Sequence, residues 1–206
     1  MLDHATLSPA IKLPLISEIL YKAYHETDAD YIIYTNVDIG LYPNFYKRVT
    51  ELIHAGHDAI IVNRKRLPEI FPEPNHLDSI FKMEGKSHPG FDCFIFKREL
   101  FQKMQLEKVC IGVPFIGITL SQNLFALSEK FILIDQEKLT FHLGMEIFKK
   151  RAPKAYFNYN RVEFWKAMDK LKPQMSIKKL PYQNVFYPFR IIKWGLQPSI
   201  PIRLVA

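Results

Sequence analysis

Asn36-Val37-Asp38 places an amide and a carboxylate two residues apart, directly after the β-branched and aromatic run Tyr31-Ile32-Ile33-Tyr34-Thr35 and just before Gly40. Oxygen donors in that arrangement suit a hard divalent cation such as Mg²⁺ or Mn²⁺. The same spacing equally suits a plain Asn/Asp turn that caps the helix opened by Pro43. Further candidates lie at other loop and strand junctions. His88 and Asp92 bound the stretch His88-Pro89-Gly90-Phe91-Asp92, and His142 ends Leu139-Thr140-Phe141-His142. A carboxylate such as Asp92 can orient or deprotonate a hydroxyl, or simply shape a turn. An imidazole such as His142 can ligate several metals, or be no more than a satisfied strand end.

These residues need a scaffold that gathers distant stretches. Pro14 followed by Ile16, Ile19, Leu20 and Ala23 predicts an amphipathic helix reaching about His25. Residues 30–35 read as a buried strand ending at Asn36. Pro43 opens a second helix with the apolar stripe Phe45, Val49, Leu52 and Ile53, closed by Gly56, and residues 58–62 form the next strand. Helices alternating with strands across short connections predict an α/β fold with a mostly parallel, doubly wound sheet. Residues 64–90, with Pro68, Pro72, Pro74 and Pro89, read as one long polar connection, a candidate flap over a substrate. Strands are expected at 91–96, 131–134 and 139–142, a helical turn at 98–104 and a helix at 114–128.

The 206 residues, 48% hydrophobic and 14% aromatic, suffice for one domain with a sizeable core and a possible appendage. No apolar stretch reaches the roughly 18 residues of a membrane span, and the first dozen residues lack a signal peptide's pattern, so the sequence reads as cytoplasmic. Cys93 and Cys110 form no CxxC pair, which argues against a disulfide framework or structural zinc. Charge divides the chain: residues 1–144 hold 15 Lys and Arg against 18 Asp and Glu, whereas 145–206 hold 13 against 3, so the first part carries −3 and the last +10. We therefore read 1–144 as the α/β domain and 145–206 as a basic, aromatic extension with one helix at 161–171 and an extended end from Pro181 onward. Such an extension can meet phosphates, an anionic surface or a protein partner, or be a solvated face. No GxSxG, GxxxxGK[ST], GxGxxG or HExxH motif accompanies these features.

The stretch Ala29-Asp30-Tyr31-Ile32-Ile33-Tyr34-Thr35-Asn36-Val37-Asp38-Ile39 resembles the strand and DxD-type motif of GT-A nucleotide-sugar glycosyltransferases, of family 2-like type, with Asn in the first acidic place. The resemblance covers roughly residues 13–144. It implies that Asp38, with Asn36 beside it, holds Mn²⁺ or Mg²⁺ bridging a nucleotide sugar's diphosphate, and that His142 is a further ligand. It also implies that Asp92, preceded by His88-Pro89-Gly90-Phe91, serves the acceptor hydroxyl. Two departures stand against it. Gly112-Val113-Pro114-Phe115-Ile116-Gly117-Ile118-Thr119 offers no acidic base near the start of the late helix. The metal motif also comes early, so the chain looks N-terminally truncated, without the two strand and helix units that hold the nucleoside. A fragment, a chain completed by another subunit and a relative without turnover all fit that pattern.

The reading that follows is a glycosyltransferase moving a sugar from a nucleotide sugar to a hydroxyl acceptor. The competing reading is a non-catalytic binding module whose basic extension, with Tyr156, Tyr159, Trp165, Tyr182, Tyr187 and Trp194, engages a partner or an anionic surface. Nucleic acid would use the same residues, but no nucleic-acid motif accompanies them.

Overall fold

The computed structural model describes residues 7–68, 77–88, 90–144 and 152–175. In chain order the elements are α1 (Ile16–Glu26), β1 (Tyr31–Thr35), β2 (Gly40–Leu41), α2 (Phe45–His54), β3 (Ala59–Val62), β4 (Lys65–Leu67), α3 (Leu77–Lys82) and β5 (Lys86–Ser87). There follow β6 (Cys93–Lys97), a 3-10 helix at Arg98–Lys103, α4 (Ile116–Leu127), β7 (Phe131–Ile134), β8 (Thr140–Leu143) and α5 (Lys154–Leu171), with a 3-10 turn at Lys172–Gln174.

The strands form two four-stranded sheets, ordered β1-β6-β3-β7 and β2-β8-β4-β5. The class is α/β, but the expected mostly parallel, doubly wound sheet is not what forms. Only β3 with β7 and β4 with β8 are parallel, while the other four named pairs are antiparallel. The reason is β6, which inserts between β1 and β3 and runs against both. Apolar periodicity marks a strand without fixing its direction.

The larger sheet carries the core on both faces. Along β3, Ala59 and Ile61 join Ile16 and Leu20 of α1 and Leu120 and Leu124 of α4, whereas Ile60 and Val62 join Phe45, Val49 and Leu52 of α2. Alternate side chains of a strand point to opposite faces, so covering both faces buries all four β3 residues completely. Ile60, Ile61 and Val62 each contribute about 2 kcal/mol on transfer from water. Asp58 fastens the start of β3 to that of β7, its carboxylate accepting from the backbone N–H groups of Glu129 at 2.7 Å and Lys130 at 2.9 Å.

Apart from β8, expected as a strand at 139–142, the smaller sheet comes from segments that read as turn or loop. β4, α3 and β5 all fall within the stretch expected to be one polar connection. Pro72, Pro74 and Pro89 of that stretch lie outside the described residues. Gly40 is required in β2, because a Cβ there would sit 2.3 Å from the Phe141 ring.

The helix expected at 161–171 is longer, spanning Lys154–Leu171, and it packs on α4 through Phe164, Ala167, Met168 and Leu171. Its Asn160 accepts from Cys110 N–H and donates to the carbonyls of Cys110 and Pro114. Its Tyr156 hydroxyl accepts from Ile11 N–H and donates to Pro9 O, tying the N-terminal segment to the same helix. Residues 176–206, with Tyr182, Tyr187 and Trp194, lie outside the described residues. Among those described, no helix is long and apolar enough to cross a membrane.

Candidate functional site

β1 stops at Thr35 and the chain turns at once, Ile39 N–H donating to Asn36 O at 3.2 Å. This turn lifts Val37 fully into solvent and leaves the Asp38 side chain 59% exposed. β2 then begins and pairs antiparallel with β8, Gly40 opposite Phe141. That register carries Asp38 to the end of β8, where its Oδ2 lies 3.2 Å from Nε2 of His142, 104 residues away in sequence. The capping role is not what forms: α2 begins after Asn44, whose side chain makes no cap hydrogen bond.

The imidazole of His142 is buried and flanked by two acceptors, Asp38 Oδ2 at Nε2 and Gly144 O at 3.4 Å from Nδ1. A neutral imidazole has a single N–H and cannot donate to both. Protonation at both nitrogens resolves this. So does a cation on Nε2 with the Nδ1 proton on the carbonyl, the usual bracing of a metal-bound histidine. The 3.2 Å separation is that of an ordinary hydrogen bond, and it is also close to the about 3.0 Å between neighbouring ligands about 2.1 Å from an octahedral cation, so it fits both arrangements. Asn36 stays half-buried at the first corner of the turn. Among the described residues, no group of three or more His, Cys, Asp or Glu side chains gathers in a metal-binding arrangement.

Asp92 arrives from the other side. The pairing of Thr35 with Cys93 makes Asn36 and Asp92 the next residues out from the two strand ends, and Thr35 Oγ1 donates to Asp92 O at 3.1 Å. Its carboxylate is buried and held by a residue the sequence did not single out: Arg64 Nη1 donates to Asp92 Oδ1 at 2.9 Å. Burial pushes the Asp92 pKa up, the charges of Arg64 and His142 pull it back, and that of Asp38 pushes it further up. Arg64 directly continues the buried run of residues 59–63, and a charge in that position was the available signal. It was read instead as the start of a loop.

His88 Nε2 lies 3.5 Å from Asp92 Oδ2, with its side chain 7% exposed. Burial, reinforced by the positive charges of Arg64, Arg66 and His142, lowers its pKa to about 3. Gly90 lets the segment fold back over the ring, since a Cβ there would stand 2.7 Å from His88 Nε2. The structure thus joins Asp38 with His142 and Asp92 with Arg64 and His88, and the charges of the first pair are felt at Asp92.

No protein-family model matches this sequence, and no curated protein matches it either. Among solved structures, twelve chains match. One is S. aureus TarS 1–349 in complex with UDP-GlcNAc, similar over 86% of this chain at 10% identity and a TM-score of 0.45. This chain spans 55% of the length of that structure. A likeness at that level assigns no residue a role.

Proposed function

We propose that this chain carries the metal and acceptor side of a nucleotide-sugar glycosyltransferase. The observation supporting it is the contact between Asp38 and His142, which joins the end of the DxD-like stretch to the late histidine across 104 residues. In this reading Asp38 and His142, with Asn36 beside them, hold Mn²⁺ or Mg²⁺. A divalent cation there supplies charge that stabilises the departing diphosphate. Asp92 receives the acceptor's proton as the hydroxyl oxygen bonds to the anomeric carbon. The bond from that carbon to the diphosphate breaks, its electron pair leaving with the diphosphate. The raised pKa of Asp92 suits a carboxylate that must take up a proton.

The test is the thermal midpoint of the purified protein with a panel of nucleotides and nucleotide sugars, each with and without Mn²⁺. A ligand bound only by the folded state raises the midpoint, by an amount equivalent to about 2.7 kcal/mol at a hundred times its Kd. The expected result is a metal-dependent rise for at least one nucleotide sugar, lost in Asp38→Ala and in His142→Ala. A rise that survives both substitutions overturns the assignment of these ligands.

A further inference from the structure

The second cluster has a feature that structural support does not require. The side chains of Arg64, Asp92 and His88 are 9%, 9% and 7% exposed, yet each keeps one polar atom without a hydrogen-bond partner. These atoms are Arg64 Nε, Asp92 Oδ2 and His88 Nδ1. Leaving a buried polar group unpaired costs about 1–3 kcal/mol. Three such atoms on side chains that meet at Asp92 make a site with unused bonding capacity.

The chemistry of those atoms defines what fits. A hydroxyl donates one hydrogen bond and accepts others. It can therefore donate to Asp92 Oδ2 while accepting from Arg64 Nε, and a neighbouring hydroxyl can donate to His88 Nδ1. The cluster is already balanced in charge, because the guanidinium of Arg64 is paired with the carboxylate of Asp92 at 2.9 Å. An ammonium brought here meets Arg64 and a carboxylate meets Asp92, so either charge is opposed by one member of the pair. Burying an uncompensated ion costs far more than burying a hydroxyl.

We propose that Arg64 and His88 are positioning residues which, with Asp92, form a charge-balanced clasp for a hydroxyl of a neutral sugar or polyol and discriminate against amines and carboxylates. Only the identification of that hydroxyl as the acceptor rests on the function proposed above. Arg64 engages Oδ1 of Asp92 and leaves Oδ2 for the ligand, while His88 Nε2 stands 3.5 Å from that Oδ2.

The experiment uses the whole chain and three probes of one ring type, methyl β-D-glucopyranoside, glucosamine and glucuronate, titrated by ligand-observed NMR at pH 7. The expected result is a Kd for the neutral glycoside at least tenfold below those of the charged analogues. Arg64→Lys should raise that Kd about tenfold, and in ¹³C spectra it should also move the titration of the Asp92 carboxyl, which loss of packing alone would not do. Should Arg64→Lys fail to fold, Arg64→Gln combined with Asp92→Asn removes both charges together, and the same tenfold weakening is expected. Equal or tighter binding of glucosamine or glucuronate, no binding of any probe, or an unchanged Kd in the variants overturns the clasp. The metal-dependent response to nucleotide sugars is read separately through Asp38 and His142, so either proposal can fail while the other stands.

Discussion

His88 offers a perturbation whose size follows from its surroundings. Its pKa falls from the ordinary 6.5 to about 3 because burial and the charges of Arg64, Arg66 and His142 disfavour the imidazolium. Between those values the unfolded chain binds a proton at this position and the folded chain does not. Stability therefore rises with pH across the window from about 3 to 6.5, and is lost as the pH falls through it. The full difference is about 3.5 pKa units, or roughly 5 kcal/mol at about 1.4 kcal/mol per unit. By pH 4.5 about two units of it are felt, roughly 3 kcal/mol.

The assay is urea unfolding of the wild type and of His88→Gln at pH 7.5 and at pH 4.5. Gln cannot titrate, and its amide can still face Asp92. Other groups that titrate in this window contribute to both proteins and cancel in the comparison. On acidification the wild type should lose about 3 kcal/mol more than the variant, a large part of the stability of a typical domain. Equal losses in the two proteins refute the argument, since His88 would then be protonated in the fold or exposed to solvent.

Three further substitutions test the packing around the site. Gly90→Ala puts a Cβ 2.7 Å from His88 Nε2 and should cost about 1–3 kcal/mol, read as a lower urea midpoint at unchanged slope. Asn160→Ala removes three hydrogen bonds to the backbone of Cys110 and Pro114 and should cost about 2–4 kcal/mol, again read by urea unfolding. Ending the chain after Gly144 removes α5 and uncovers Phe115, Ile118 and Ala126, so that protein should lose cooperative thermal unfolding, whereas one ending after Met175 should keep it.

Where burial alone decides an element, the sequence was legible. The stripe Phe45, Val49 and Leu52 predicts α2, and the unbroken apolar residues 59–62 predict a strand covered on both faces. Strand direction was not legible, because β6 has the same apolar character whichever way it runs. The short strands β2, β4 and β5 were hidden for another reason: Gly40, Lys65, Arg66 and Lys86 carry no β signal of their own, and partners far along the chain impose their conformation. The start of α5 at Lys154 lies ahead of the apolar stripe that predicts a helix at 161–171, because Asn158 and Asn160 are polar and add nothing to that stripe. Asn160 is instead fully buried, spending its amide on another segment's backbone.

Why these residues meet follows from how the chain moves between its sheets. It passes from the larger sheet to the smaller three times, from β1 to β2, from β3 to β4 and from β7 to β8, and it returns twice, from β2 to β3 through α2 and from β5 to β6. Asp38 lies on the first crossing, Arg64 on the second, and His88 and Asp92 on the second return, while His142 lies near the end of the strand that the third crossing feeds. A crossing ends the backbone ladder on both sides, so its polar groups must find side chains, water or a ligand. The crossing from β3 to β4 is only Asn63 and Arg64, too short to move apart from the strands it joins. Arg64 is thus fixed between a fully buried strand and a strand paired in parallel with β8, the strand of His142. The seam between the two sheets is therefore both the place where polar groups collect and the place where the backbone holds them most firmly, which is what a binding site for an oxygen-rich ligand requires.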